Sequence, residues 1–346
     1  MNTPVLFRSL CAATGLVLAA SPLAADPVTV SGAPVGVLAA SLPSGNSPLA
    51  FPLLNEEAFA GVITSNSGDT VTFTAGTVAS QLVASGQYYL EVVNGAFEGE
   101  RLDLNTAATI AAGGSTVKVN LAAGSFSTSS SLGANALASA RAVIRPHVLL
   151  KDLPAMFSPT FVGNNNAALA DGVQIYRTGV LVSYYLRPDG SWRESGKTVD
   201  ERNKVIPPDS SLLVQLRSGA KRWVQAGDVR SNVFRIAVGS GARILATGFP
   251  LNLTPVQIGA FVDTLDVPSV RWVGNDNPAL ADNLRIYNPA TGAFVTYYLR
   301  GDGTSWYQSG GSTNVAGSEL LNATGLAVLT RINPDPGYLI LRPFSL

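Results

Sequence analysis

One stretch of this chain occurs twice, and that duplication limits the fold more than any other feature. The sixteen residues Phe161–Tyr176 return as Trp272–Tyr287, with ten positions identical. Each copy runs on to Tyr-Tyr-Leu-Arg, at Tyr184–Arg187 and Tyr297–Arg300. Asp189-Gly190 and Asp302-Gly303 follow, then Ser-Trp-x-x-Ser-Gly at Ser191–Gly196 and Ser305–Gly310. A chain built this way folds as two copies of one unit, each burying its apolar face against a neighbour.

The unit reads as short strands joined by tight turns. Val173–Tyr176 and Val180–Leu186 form one expected strand pair, joined by Arg177-Thr-Gly179. The second copy lengthens that turn to Asn288–Gly292. Leu212–Arg217 matches Leu326–Arg331 by residue type, and Lys221–Val224 matches the closing run Gly337–Arg342. The continuous apolar pieces Leu181-Val182 and Leu212-Leu-Val214 predict strands covered on both faces, as where the two copies pack together. Asp152-Leu-Pro154 and Thr254-Pro255 read as helix starts, with a cap followed by proline in the first turn.

Residues 26–150 read as a separate N-terminal β domain, a small barrel or sandwich. Gly61–Ser65 and Thr70–Thr74 flank a hairpin turn at Asn66–Asp69. Asn94-Gly95 predicts a type I′ turn between Gln87–Val93 and Phe97–Leu104. Thr109–Ala111 and Thr116–Leu121 are expected to pair. Phe51-Pro-Leu53 has an echo in Phe249-Pro-Leu-Asn252. The run Gly124–Ser131 is polar, low-complexity and expected to be a loop.

Residues 1–25 read as a secretory leader. Arg8 is its one charge, Leu10–Ala20 is an apolar run too short to span a bilayer, and small residues lead to Ala24-Ala25. Cleavage would remove Arg8 and the chain's one cysteine, Cys11. That leaves 22 Lys and Arg against 23 Asp and Glu, a net charge of −1. A chain so sparsely charged lacks the basic stripe of a nucleic-acid binder. It would also lack disulfides, so cores must hold it together. No second apolar run of membrane length follows, and the mature chain is expected to have no transmembrane span.

The chemistry on offer is narrow. With one histidine, His147, and no mature cysteine, a multi-histidine zinc site and a thiol nucleophile are both excluded. Two loops gather oxygen donors and are the calcium candidates: Asn164, Asn166 and Asp171 in one, Asn275, Asp276 and Asp282 in the other. The competing reading has asparagines capping turns. Trp192, Trp306, Tyr185 and Tyr298 recur at matching places and are the candidates for stacking on a sugar ring, against the alternative of core packing. Glu91, Glu98 and Glu100 around the expected Asn94-Gly95 turn are the carboxylates a glycosidase would need, against the alternative of a charged sheet edge.

The combination of Tyr88-Tyr-Leu-Glu91, Asn94-Gly-Ala-Phe-Glu-Gly99, Ala-Asp-x-Ile-Tyr and Tyr-Tyr-Leu-Arg-x-Asp-Gly-Ser-Trp resembles an uncharacterised family of secreted, β-rich bacterial proteins. The resemblance covers most of the mature chain and implies no catalytic residue. The resulting expectation is an all-β protein. Its parts are a leader at 1–25, a β domain at 26–150, and two duplicated antiparallel modules at 151–251 and 252–346, each preceded by a helical turn. Its expected role is non-catalytic, structural or adhesive, in the periplasm, at the cell surface or outside the cell. Expected partners are extracellular polysaccharide or other envelope proteins, with no nucleic acid and no cofactor beyond the calcium candidates. The alternatives are a carbohydrate-binding protein using the repeated Trp, Tyr and Asn/Asp loops, and a carboxylate-based hydrolase. An outer-membrane barrel fits poorly, because the strands are shorter than the roughly 9–11 residues that lipid-facing strands need.

Overall fold

The computed structural model describes residues 34–122, 127–177, 180–261, 272–333 and 337–342. The expected leader, the start of the low-complexity run and Thr178-Gly179 lie outside the described residues. The chain is all-β, as its composition implied, with several antiparallel sheets and one closed six-stranded barrel. Among the described residues, no helix is long and apolar enough to cross a membrane.

The barrel runs Phe59–Ser67, Thr70–Phe73, Thr116–Asn120, Arg101–Leu104, Tyr88–Val92 and Arg141–Pro146, which pairs back to the first strand. Its interior follows from strand alternation. Val71 and Phe73 are buried while Thr70 and Thr72 lie part-exposed. Ile63, Leu90, Leu102, Val117 and Ile144 fill the same core. Closure leaves no strand edge to pair with other chains.

Two local expectations change here. Thr106–Ala112 is an α-helix rather than a strand, because alanines favour the helix and the Asn105 side chain caps it by accepting from Ala108 N–H. The turn after Tyr88–Val92 is wider than a two-residue hairpin. Its strand resumes at Arg101, not Phe97, and Glu98 and Glu100 lie in the connection. Asn94 is engaged elsewhere, accepting from the Arg141 N–H at 2.7 Å.

Each duplicated module is two sheets on one core. In the first, the larger sheet runs Trp192–Glu194, Val180–Leu186, Gly172–Arg177, Ser211–Leu216 and Gly45–Ala50. The second sheet pairs Val35–Leu42, Leu53–Leu54 and Phe157–Ser158 onto Lys221–Val229. In the second module, Trp306–Gln308, Ala293–Leu299, Asn283–Asn288, Ala327–Arg331 and Gly241–Leu245 make the larger sheet, and Phe234–Val238 pairs with Gly337–Leu341.

These pairings redraw the expected boundaries. The strand–turn–strand segment Val35–Ala50 belongs to the first module and not to the N-terminal domain, its two strands lying in different sheets. The segment Phe234–Leu245 belongs to the second module and not to the first, its two strands divided between sheets in the same way. Both turn at Ser-Gly, where Gly45 and Gly241 have φ of 102° and 85°, a region that favours glycine. The echo of Phe51 in Phe249 is therefore part of the duplication: Phe51 packs edge-on to Trp223, and Phe249 edge-on to Phe234. The barrel is an insertion between the first module's opening strands and the rest of that module.

The register of the late strands also shifts by one residue from the match by residue type. Leu212 pairs with Ile175, and its structural counterpart Ala327 pairs with Ile286. The helical turn before each module survives in part. Leu150–Met156 is a 3-10 helix, whereas residues 254–260 form hydrogen-bonded turns.

The prediction for doubly covered strands holds. Leu212 and Val214 face the first module's core, while Leu213 faces away. Leu213, with Leu181 and Tyr176, meets Ile244, Tyr287, Phe294 and Leu326 of the second module in an apolar contact between the two copies.

Candidate functional site

The repeated motif is explained residue by residue by the local structure. A Cβ on Gly163 would lie 2.4 Å from the Arg187 carbonyl oxygen, and one on Gly274 2.1 Å from that of Arg300, so both copies require glycine. Asn164 accepts from Asn166 N–H and Asn275 from Asn277 N–H, each at 2.8 Å. Asn166 accepts in turn from Ala168 N–H. Asp276 accepts from the Arg300 guanidinium at 2.6 Å. Asp171 and Asp282 are fully buried and clamp their own modules. Asp171 accepts from the N–H groups of Val162, Arg217 and Ser218 and from the Ser218 hydroxyl. Asp282 accepts from Val273 and Ile332 N–H. The oxygens nominated for calcium are thus engaged by N–H and O–H donors, and two of the six lie inside the cores.

The two buried aspartates are shifted in opposite directions. Burial pushes Asp171 up, but the Ser218 hydroxyl and the three N–H donors outweigh it and hold the carboxyl below its ordinary range. Asp282 has fewer donors, and burial leaves it raised. Lys221, itself buried, stands 3.3 Å from Asp171.

The aromatic candidates are mostly internal. Trp192 and Trp306 have no solvent exposure and belong to the two module cores, so neither can stack on a ligand. Trp306 Nε1 donates to the Ala260 carbonyl at 2.6 Å. Tyr298 is buried and Tyr185 half-buried. Tyr297, by contrast, is part-exposed and lines an open pocket. Its counterpart Tyr184 is completely buried. Pairing opposite Leu284 and Val173 establishes the equivalence of these two tyrosines.

The carboxylates nominated for hydrolysis turn away from solvent into the junction between barrel and second module. Glu91 is fully buried and ion-paired with Arg230, and it also accepts from the Asn232 amide at 3.1 Å. Glu98 accepts from Val233 N–H at 2.9 Å, and Glu100 lies 3.5 Å from Arg235. The Arg101 and Arg230 guanidiniums sit 4.6 and 4.4 Å from the ring centroid of Phe234. Asp209 pairs with Arg101 and Arg243. Burial raises its carboxyl, but the two guanidiniums dominate and hold it well below the usual range. Arg145 bridges Glu57 and Asp228, both at 2.8 Å. His147 is buried beside Asp103 at 3.2 Å and packs on Tyr89.

The pocket at Tyr297 was not legible as a site. It holds about 260 Å³ at the open end of the second module's larger sheet. Tyr297, Val295 and Ile286 supply apolar surface, and Asn288, Glu319 and Asn322 supply polar groups. Glu319 and Asn322 lie outside the repeated motif, so no spacing in the sequence joined them to Tyr297.

No family model, curated protein or solved structure matches this chain.

Proposed function

We propose that this is an exported, non-catalytic structural or adhesive protein, acting in the periplasm, at the cell surface or outside the cell. The observation that carries this reading is the use to which the chain puts its acid–base groups. Glu91, Glu98, Glu100 and Asp209 are each tied to arginine or backbone donors at module junctions. A glycosidase needs two carboxylates facing one cleft about 5–10 Å apart. Glu91, Glu98 and Glu100 serve instead as fasteners between the barrel and the segment Arg230–Arg235, and Asp209 of the first module ties the barrel's Arg101 to Arg243 of the second. The test is incubation of the purified mature chain with polysaccharide, ester and peptide substrates, alongside fractionation of the producing cell. Recovery from an exported fraction without turnover is expected. Turnover that a Glu→Gln substitution abolishes would overturn the reading.

A second reading, carbohydrate binding, is favoured by one observation: the open pocket that joins Tyr297 to a carboxylate and two amides. It places recognition at Tyr297 rather than at the repeated tryptophans.

A further inference from the structure

The two copies treat the same tyrosine in opposite ways. In the first module, Arg177 Nη1 donates to the Tyr184 hydroxyl at 3.3 Å, and Lys204 sits 5.8 Å from the centre of its ring. Those two cations close the position, and Tyr184 has no exposure. In the second module Asn288 stands where Arg177 does, as the last residue of the paired strand. Glu319 stands at the mouth in place of a lysine. Tyr297 is part-exposed, and its hydroxyl makes no hydrogen bond among the described residues.

We infer that this pocket is a binding subsite for a neutral sugar ring, with Tyr297 as its apolar floor. The inference rests on the carbohydrate-binding reading. Three features set the ligand class. The volume of about 260 Å³ falls below the roughly 300–1,000 Å³ typical of drug-sized ligands, which suits one small ring. No lysine or arginine lines the pocket, so nothing there attracts a phosphate or another anion. The polar groups are two amides, which both donate and accept, and one carboxylate, which accepts from hydroxyls. That is the complement of vicinal hydroxyls above an apolar ring face.

The site is also held in place before any ligand arrives. Asn252 donates to Glu319 at 3.1 Å and accepts from Ala323 N–H at 3.0 Å, fixing the carboxylate relative to the Asn322 segment. Tyr287 packs edge-on to Phe294 in the contact between modules. Preorganisation of this kind lowers the ordering cost of binding.

The experiment is saturation-transfer NMR on the mature chain with chitotriose, cellotriose and maltotriose, and with choline as a cationic probe. At least one trisaccharide should receive saturation through its ring protons. Its Kd should weaken at least tenfold in Tyr297→Ala and in Asn288→Arg, which copies the closed arrangement of the first module. Arg177→Ala should leave it unchanged. Asn288→Arg lies at the rim, so it tests the site even where Tyr297→Ala disturbs the core. Trisaccharide binding that both pocket variants leave intact would overturn the subsite while sparing carbohydrate binding elsewhere. No trisaccharide binding, or binding of choline alone, would overturn both.

Discussion

Lys221 holds its ammonium 3.3 Å from the Asp171 carboxylate, with both side chains buried in the first module. The second module has glycine, Gly337, at the place of Lys221, opposite Val238 as Lys221 is opposite Leu42. The clamp is common to both copies, but the cation beside it differs: Lys221 in the first, Arg331 in the second. Asp171→Ala leaves Lys221 buried with the Thr160 carbonyl as its remaining close partner. It should destabilise by about 3–5 kcal/mol, as expected when one member of a buried pair is removed. Lys221→Met should cost less, because four N–H and O–H donors still satisfy Asp171. Urea denaturation of both variants checks the order.

The junction between barrel and second module depends on Glu91 and Arg230. Glu91→Gln or Arg230→Met alone should each destabilise by about 3–5 kcal/mol, since each leaves a buried charge without its partner. The double variant Glu91→Leu/Arg230→Met should recover much of that loss. A double-mutant cycle measured by chemical denaturation should therefore return a large coupling between the two positions.

The tryptophans should report on stability rather than binding. Trp192→Ala and Trp306→Ala should each cost about 3–5 kcal/mol through lost packing. The conservative changes separate them. Trp306→Phe also removes the hydrogen bond to Ala260, whereas Trp192 Nε1 makes none. Trp306→Phe should therefore be the worse by about 1 kcal/mol in thermal or urea unfolding.

His147 gives the protein a pH dependence. Burial lowers its pKa from the ordinary 6.5, against the opposing pull of Asp103, so the folded state holds the ring neutral. Below about pH 6.5 the unfolded chain takes up a proton that the folded chain resists, so stability falls with pH until the lower folded pKa is reached. Calorimetry between pH 7.5 and 5 should show a falling Tm, and His147→Gln should flatten that slope.

Much of this architecture was legible from residues close together in the chain. The Gly-Asn turns and the doubly covered Leu212–Val214 strand declare themselves within one motif or one apolar run, whereas Asp171 and Asp282 read as calcium candidates until the structure buries them. What stayed hidden depends on distant partners. Glu91 looks like a surface carboxylate until Arg230, 139 residues away, is placed beside it. The segment Val35–Ala50 looks like the start of an N-terminal domain, because the barrel separates it from the strands it pairs with. Its kinship with Phe234–Leu245 survives in sequence as little more than Ser-Gly and Leu-Ala. The pocket at Tyr297 was missed because repetition drew attention to residues shared by both copies, and the pocket exists through residues that differ.

The central claim is that the first module is completed by two strands, one in each of its sheets, lying on the far side of an inserted barrel. Asn46 and Gln215 face each other across that pairing, with their amides 3.3 Å apart. Directly opposed strand residues lie within disulfide range. In a chain beginning at Asp26, which carries no native cysteine, Asn46→Cys/Gln215→Cys should oxidise to one intramolecular disulfide, seen by mass spectrometry as a peptide joining the two segments. Persistence of two free thiols in the folded, oxidised protein would contradict the insertion.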